Sequence, residues 1–241
     1  FCYMNAEQLL DLISRTPTAW HAVNNVEERL KQSGFSPLDG SSVGAGNWFT
    51  GRNGSSLIAF RIPETYDPSR VCFRISAAHG DSPCLRLKPN GVLKGGCTRL
   101  NPELYGGSIH STWMDVPLAV AGRVILRTET GLTSKLIHID RPVAVIPNTA
   151  PHQRDMNGGL TLNPAVDLVP LFGDGDADFN QFIATECGVS SDAVAGWDLS
   201  LVAQGRGFVF GPEGEYMTSP RLDDLECVFT CLDGFLSADI P

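Results

Sequence analysis

The sequence lacks several features that mark other classes of protein. It has no cluster of basic residues, and its 241 residues carry a formal net charge of −9. Nucleic acid and anionic membrane surfaces are therefore not expected partners. No apolar run approaches the roughly 20 residues that span a bilayer. The chain also has no phosphate-cradling loop with a following Lys-Ser/Thr, and no Gly-x-Ser-x-Gly nucleophile elbow, which weakens a serine-hydrolase assignment.

Cysteine is present, but not in the pattern of a disulfide framework or a zinc site. The seven cysteines are an odd number, and they are widely scattered without any C-x-x-C pair. Cys227 and Cys231 share a face at helical spacing and are interpreted as small buried hydrophobes, since two thiols without near partners are too few for zinc. The first residues also lack the basic and apolar regions of a secretion signal. A reducing cytoplasm is the expected compartment.

The sequence does have the composition of a folded protein with a core. Hydrophobic residues make up 42% and charged residues 19% of the chain, as in globular and not disordered proteins. Asn5 can cap one helix with an apolar stripe, and Pro17 suits the first turn of a second helix that Gly34 ends. Residues 38–54 are rich in Gly, Ser and Asn and are predicted to form a loop.

Residues 71–83 (VCFRISAAHGDSP) contain the first candidate site. Apolar and polar residues alternate over 71–76, which predicts a strand beside a second apolar strand at 55–62. His79 and Asp81 follow this strand, and in open α/β sheets functional groups lie just past the carboxyl ends of strands. An imidazole with a nearby carboxylate can bind a metal there, the carboxylate acting as a ligand or fixing the histidine tautomer. An ordinary polar turn is the alternative, because so short a motif recurs by chance.

The pattern changes over residues 84–212, where short β-like runs are separated by Gly, Pro and Asn and a helix is predicted only at 179–187. A helical pattern returns at 225–236, just after Asp223 and Asp224. Carboxylates at a helix start are favoured by the helix dipole, so capping is an alternative to a metal role for either aspartate. The sequence therefore predicts an α/β fold with a mixed sheet covered on both faces, interrupted by a mostly β module.

Seven segments together resemble the aspartyl aminopeptidase family, which comprises dinuclear metallo-exopeptidases. The resemblance runs in one collinear order from about residue 6 to 238. The segments are 52–60 (RNGSSLIAF), 78–90 (AHGDSPCLRLKPN), 104–107 (LYGG), 113–115 (WMD), 118–124 (LAVAGRV), 146–152 (IPNTAPH) and 219–225 (SPRLDDL).

The resemblance implies an architecture and a set of partners. The fold would be an α/β/α sandwich catalytic domain, incomplete here, with an inserted β-rich dimerisation domain. The corresponding bounds are 1–86 for the first catalytic part, 87–213 for the insertion, and 214–241 for the resumed and truncated catalytic part. The family also implies self-association into dimers and a larger, dodecameric particle. It further implies peptide substrates with N-terminal acidic (Asp/Glu) residues, and a cytoplasmic or vacuole/lysosome-like location.

The resemblance also implies roles for four residues. His79 matches a ligand of one metal, and Asp223 matches the carboxylate that bridges two metals. Asp81 matches the catalytic carboxylate that orients a group at the site. His152 matches a loop histidine that the family directs towards a partner subunit's active site, where it would bind substrate. The implied cofactor is zinc, two ions per complete site, with manganese or cobalt as alternatives; such a pair can generate hydroxide near neutral pH.

The family's later motifs are not found in this sequence. They are a Glu-Glu pair, a further Asp ligand and a C-terminal His, which would all lie beyond residue 241. We therefore expect the chain to supply only part of a metal-dependent aminopeptidase site, completed by a missing C-terminal half or a second chain. The alternatives are a catalytically incomplete subunit that retains an assembly surface, and an amidohydrolase or deacylase of the broader dinuclear-zinc group. Without its partner, helix 225–236 is expected to expose apolar surface.

Overall fold

The computed structural model describes residues 4–38, 40, 43–153 and 159–238. The chain divides into two compact units, of which the first combines Phe1–Ser82 with Arg206–Pro241 and the second is Pro83–Gly205. These divisions lie close to the predicted boundaries after residues 86 and 213, without coinciding with them. None of the helices in the described ranges has the length and apolar character that a membrane span requires.

The two units contain helices and strands in a mixed order. The helices are α1 (Ala6–Ser14), α2 (Ala19–Gln32), α3 (Pro164–Asp167), α4 (Phe179–Cys187) and α5 (Leu222–Ser237). The strands are β1 (Ser36–Pro37), β2 (Gly46–Arg52), β3 (Ser56–Ile62), β4 (Cys84–Leu93), β5 (Cys97–Tyr105), β6 (Leu118–Thr128), β7 (Gly131–Ala144), β8 (Leu171–Asp174), β9 (Val194–Ala203), β10 (Phe208–Phe210) and β11 (Tyr216–Thr218).

Three helices form much of the core of the first unit. Helix α1 begins at a capping box, in which the Asn5 side chain accepts from the Gln8 N–H and the Gln8 side chain accepts from the Asn5 N–H. The predicted cap at Asn5 is therefore confirmed. Helices α1, α2 and α5 bury one apolar cluster, which consists of Leu9, Ile13, Ala22, Leu225 and Phe229. The expectation that helix 225–236 exposes apolar surface is wrong, because its apolar stripe packs inside this unit.

The first unit also contains a three-stranded sheet in the order β1-β2-β3, with β1 parallel and β3 antiparallel to β2. The prediction of a loop over residues 38–54 is wrong, because β2 lies within it. Phe49 of β2 is buried in a second cluster with Leu30, Phe35 and Leu232. Burial of this ring and pairing with β3 outweigh the loop-forming composition of the surrounding sequence.

The predicted strand at 71–76 is not formed. The chain from residue 71 to residue 83 has no regular secondary structure, and β3 pairs with β2 instead of with this segment. Val71, Phe73 and Ile75 are 51%, 81% and 84% exposed; we call these three residues the exposed apolar segment. Alternating residues favour a strand, but a strand persists only when a neighbour pairs with its backbone. No pairing neighbour for this segment is found among the described residues.

The second unit is a six-stranded antiparallel sheet in the order β7-β6-β9-β4-β5-β8. The sheet curls, because Val145, just past β7, exchanges both main-chain hydrogen bonds with Leu171 of β8 at the opposite edge. Gly122 of β6 has φ +147°, and a Cβ there would lie 2.2 Å from the Asp198 carbonyl oxygen of β9. This close approach of two strands requires glycine. The prediction of a mostly β segment here agrees with the observed strands.

One helix of the second unit begins and ends where the sequence predicts. Helix α4 starts after Asp178, whose side chain accepts from the Gln181 N–H at 3.0 Å. It ends at Gly188, which adopts the left-handed conformation with φ +74°. Its buried residues Phe179 and Ile183 pack into the core of the curled sheet.

Candidate metal centre

The first unit brings His79 together with aspartates from two separate parts of the chain. The ring Nδ1 of His79 lies 3.0 Å from the main-chain oxygen of Asp81 and 3.3 Å from its Oδ1. On the other edge of the ring, Nε2 lies 3.2 Å from Oδ1 of Asp223. If Nδ1 carries the proton, it donates to the Asp81 carbonyl and leaves the Nε2 lone pair directed at the second aspartate.

Asp223 is held at the start of α5 in an extended conformation, with φ −81° and ψ 112°, although it falls within the helix bounds. Its main-chain oxygen accepts from the Ser82 hydroxyl at 3.0 Å, while its side chain is 90% exposed. The backbone is thus anchored and the carboxylate is left open to solvent. An exposed carboxylate oxygen can donate a lone pair to a metal ion, so this arrangement suits a metal-binding role better than a capping role.

Asp224 contacts the same loop by a different route. Its Oδ2 accepts from the main-chain N–H of His79 at 3.1 Å and lies 4.0 Å from His79 Nε2. The side chain is only 20% exposed. A hydrogen bond from the Cys227 thiol and the bond from the His79 N–H lower the pKa of the Asp224 carboxyl. The carboxylate therefore remains ionised over the pH range in which the fold operates.

Cys227 corrects one interpretation of the sequence. It is exposed, not a buried hydrophobe, and its bond to the Asp224 carboxylate raises the pKa of its thiol to about 11. The thiol is therefore protonated at neutral pH, which makes it a poor nucleophile and a poor zinc ligand. Cys231, one turn further along α5, is half-buried.

The electrostatic environment of His79 favours the protonated ring in the absence of a metal. Burial acts to lower the pKa of His79, but the Asp81 carbonyl and the carboxylates of Asp224, Asp81 and Asp223 together raise it above its ordinary value of 6.5. A site that draws a proton onto the ring by negative charge will also attract a divalent cation. A metal ion bound at Nε2 would compete with a proton for the same lone pair, so metal binding there would strengthen as the pH rises.

The geometry of His79 and Asp223 fits one zinc ion. Two ligands bound at the usual zinc distances in a tetrahedral site lie about 3.3 Å apart, and the observed Nε2–Oδ1 separation is 3.2 Å. Asp81 does not join them, because it contacts the opposite edge of the ring. Over residues 4–38, 40, 43–153 and 159–238, no group of three or more His, Cys, Asp or Glu side chains is arranged to hold an ion.

His152, the fourth residue assigned from the sequence, belongs to the second unit. It lies in a single 3-10 turn, Pro151–Gln153, and its side chain is exposed. Its substrate-binding role stays a prediction. The contact that sequence reasoning missed is the one from Asp224 to His79. A carboxylate directly before a predicted helix had the simpler explanation of dipole stabilisation, and the sequence carries no signal for a main-chain partner 145 residues away.

An imidazole and carboxylates gathered at loop ends of an α/β unit are typical of metallohydrolase sites, and here a curled β sheet interrupts that unit in sequence. Comparison with known proteins gives the family. The model of the M18 peptidases, described as aminopeptidase I zinc metalloprotease, matches residues 12–239. The chain therefore belongs to the M18 family.

Individual relatives agree with this assignment. A probable M18 family aminopeptidase 2 from Clostridium acetobutylicum is 37% identical over 97% of this chain and 57% of its own length. Among solved structures, mApe1 from Chaetomium thermophilum superposes with a TM-score of 0.85 at 30% identity, covering 97% of this chain and 58% of that one. The Ape4 and Nbr1 complex gives 0.89 at 30% identity, covering 96% of this chain and 50% of the matched chain. The chain thus spans little more than half the length of the relatives it matches.

Proposed function

We propose that this chain supplies the amino-terminal part of a zinc aminopeptidase that removes N-terminal acidic residues from peptides. The observation that carries the proposal is the 3.2 Å separation between His79 Nε2 and Asp223 Oδ1, in a chain that belongs to the M18 family. Membership supports a metal-dependent peptidase. The preference for Asp or Glu side chains rests on the resemblance noted in the sequence.

His79 and Asp223 are the residues that would hold metal. A bound pair of metal ions supplies an activated water and polarises the scissile carbonyl. The protein's own contribution starts at the His79 ring, where the Asp81 main-chain oxygen, 3.0 Å from Nδ1, holds the proton on that nitrogen and leaves Nε2 free. The Asp81 carboxylate, 3.3 Å from the same nitrogen, increases the basicity of the ring. Asp81 therefore orients the ligand without being one.

These residues make only part of a site. A catalytic zinc uses about three protein ligands, and a dinuclear centre also needs a general base near its water. His79 and Asp223 supply two ligands, and no larger group is arranged for metal within the described ranges. We infer that the remaining ligands and the base come from a C-terminal half or chain corresponding to the unmatched part of the relatives. That partner would also pair with the exposed apolar segment.

The second unit has a different proposed role. We propose that its curled sheet, Pro83–Gly205, is the family's dimerisation domain and carries the main contact between subunits of a dimeric and larger particle. His152 would bind substrate from that unit in the assembled protein. The proposed location is the cytoplasm.

One observation favours a second candidate function. Because no complete ligand set is formed by the described residues, the chain could serve as a non-catalytic subunit that keeps the assembly surface. The two candidates differ in what happens when the family's C-terminal part is added: an aminopeptidase fragment gains turnover, whereas an assembly subunit does not.

The test uses the purified chain, alone and mixed with the C-terminal part of the Clostridium acetobutylicum relative. We measure zinc content by elemental mass spectrometry and the hydrolysis of an Asp-derived chromogenic amide. The chain alone should bind zinc weakly and hydrolyse nothing, and the mixture should show turnover that a chelator abolishes. His79→Ala and Asp223→Ala should remove that turnover, while His21→Ala, at a histidine that contacts Thr18 at 2.8 Å, should preserve it.

Two results would contradict the proposal. Chelator-sensitive turnover by the chain alone would mean that acidic residues outside the proposed pair complete the site. A mixture that assembles, binds zinc through His79 and Asp223 and still hydrolyses no aminoacyl amide would favour the non-catalytic subunit.

A further inference from the structure

We propose that Asp224 is a positioning residue for the metal centre, acting through the main chain of His79 and not as a ligand. The inference rests on the proposed function, because it assumes that His79 binds metal. The contact from which it is argued, between Asp224 and the His79 N–H, is formed by the protein without any metal. It assigns a specific task to a carboxylate that the sequence explains as ordinary helix-start charge.

The contact joins two distant segments. Oδ2 of Asp224 accepts from the His79 N–H at 3.1 Å, and the main-chain oxygen of Asp223 accepts from the Ser82 hydroxyl at 3.0 Å. Both hydrogen bonds are therefore donated by the 79–82 loop and accepted at the start of α5. Each bond joins a main-chain group of one segment to a side chain of the other, so the pair ties the two backbones together through the Asp224 and Ser82 side chains.

The contact between Asp224 and His79 is not a helix-capping bond. A capping carboxylate accepts from an N–H two or three residues further along its own helix, whereas Asp224 accepts from a residue 145 positions earlier in the sequence. Asp223 and Asp224 have non-helical dihedral angles inside the bounds of α5, so Asp224 lies where the regular helix begins, but its bond to the His79 N–H is made to another segment.

The two adjacent aspartates are divided between two tasks. Asp223 is 90% exposed and its Oδ1 lies 3.2 Å from His79 Nε2, whereas Asp224 is 20% exposed and its nearer oxygen lies 4.0 Å from the same nitrogen. The Asp224 carboxylate is already occupied by the His79 N–H and the Cys227 thiol. A mostly buried carboxylate that already accepts two hydrogen bonds is less available to a metal than the exposed Asp223 carboxylate, and it is well placed to hold a loop.

The chemical consequence concerns the placement of His79. The loop around His79 has no regular secondary structure to hold it, so its position depends on a few specific bonds. The Asp224 carboxylate provides a charge-assisted bond, which is roughly twice as strong as a neutral one. Without it, the backbone at His79 would sample positions in which Nε2 no longer faces Asp223. Losing an outer partner of a metal ligand typically costs about 10–100-fold in metal affinity.

The experiment compares the 241-residue chain with Asp224→Ala and Asp224→Asn, and uses Cys227→Ala as the matched control because it removes only the second contact of the carboxylate. Solvent exchange of the His79 amide is measured by NMR on metal-free protein, and zinc affinity is measured by competition with a chromophoric chelator. The His79 amide should exchange about 10-fold or more faster in Asp224→Ala, and zinc binding should weaken about 10–100-fold.

The conservative variant makes the test specific. Asp224→Asn keeps a neutral acceptor, so its amide exchange and zinc affinity should lie between those of the wild type and Asp224→Ala, while Cys227→Ala should match the wild type in exchange at His79. If Asp224→Ala does not fold, the comparison of His79 amide exchange between Asp224→Asn and the wild type tests the proposal. Unchanged exchange of the His79 amide in the folded variants would overturn the proposal.

The two proposals fail in different ways. Faster exchange at His79 in chains that bind no zinc would leave the positioning role standing and count against the metal centre. Normal zinc binding together with unchanged exchange would leave the metal centre standing and refute the role of Asp224.

Discussion

The exposed apolar segment gives the most direct test of how this chain is completed. Val71, Phe73 and Ile75 alternate as in a buried strand, yet they are 51%, 81% and 84% exposed. Monomeric proteins rarely leave such a row of large apolar side chains uncovered. We expect a partner corresponding to the unmatched part of the relatives to bury these residues, and the variant Phe73→Ser to weaken that association.

The magnitude follows from the exposed fractions. Fully burying a Val, Ile or Phe side chain is worth about 1.5–3 kcal/mol, and scaling by the three exposures gives about 3–6 kcal/mol in total. Phe73 alone accounts for about 1–2.5 kcal/mol, so Phe73→Ser should weaken binding by roughly 5–50-fold. Because the ring is mostly exposed in the chain alone, the substitution should leave the unfolding free energy of the chain within about 0.5 kcal/mol of the wild type.

The assay is a calorimetric titration of the chain with the C-terminal part of the Clostridium acetobutylicum relative. The matched control is Ile109→Ser in the second unit, which removes a 73% exposed apolar side chain and should leave affinity unchanged. Hydrogen exchange should show protection of residues 71–77 only in the complex. Equal affinity of Phe73→Ser and the wild type, or continued exchange of 71–77 in the complex, would refute the reasoning.

Two further predictions concern the chain alone. By NMR titration, the pKa of His79 should exceed 6.5, and the variant Asp81→Asn, which keeps the main-chain carbonyl, should lower the pKa towards that value. Because the pKa is raised in the folded state, protonation of His79 stabilises the metal-free fold below pH 6.5. This stabilisation is lost as the pH rises through the raised pKa. An unshifted pKa in the wild type would contradict the observed carboxylate arrangement. Phe229→Ala should lower the unfolding free energy by about 3–5 kcal/mol in urea denaturation, because the ring is fully buried, and a loss under 1 kcal/mol would show that α5 does not anchor this core.

Helix ends were predictable because their signals are local. Asn5 caps α1 with its own side chain, and Asp178 and Gly188 bound α4 in the same way. Each signal involves residues within one turn of the helix end, so no tertiary information is needed. Strands β6 and β7 were likewise indicated by their own residues, because both contain β-like runs of the segment 84–212.

Strands with weak local character were missed for the opposite reason. Strand β2 lies in a Gly- and Asn-rich segment, and only the burial of Phe49 and its pairing with β3 make it a strand. Strand β8 is four residues long and exists through its bonds to β5 and to Val145. The energy of these strands comes from partners distant in sequence, so composition within the segment cannot predict them.

The residues of the candidate site also differ in how far the sequence could predict them. The H-x-D motif indicated His79 and Asp81 as candidates, because their chemistry is carried by side-chain type, whereas Asp223 was distinguished from Asp224 only by the resemblance to the family. The task of Asp224 could not be predicted, because its partner is a main-chain N–H that every residue type carries.

The segment at 71–76 marks the limit of reasoning from pattern. Its alternation predicts one buried face, but Val71, Phe73 and Ile75 are 51%, 81% and 84% exposed in this chain. Strand β3 is paired on one side only, so its other edge could pair with a further strand, but residues 71–76 do not pair with it. Local order at His79 nevertheless persists, because the bonds from Ser82 and to Asp224 hold the loop without the strand. The two proposed ligands are therefore placed without a strand at 71–76, which makes a partly formed metal centre physically reasonable in this chain.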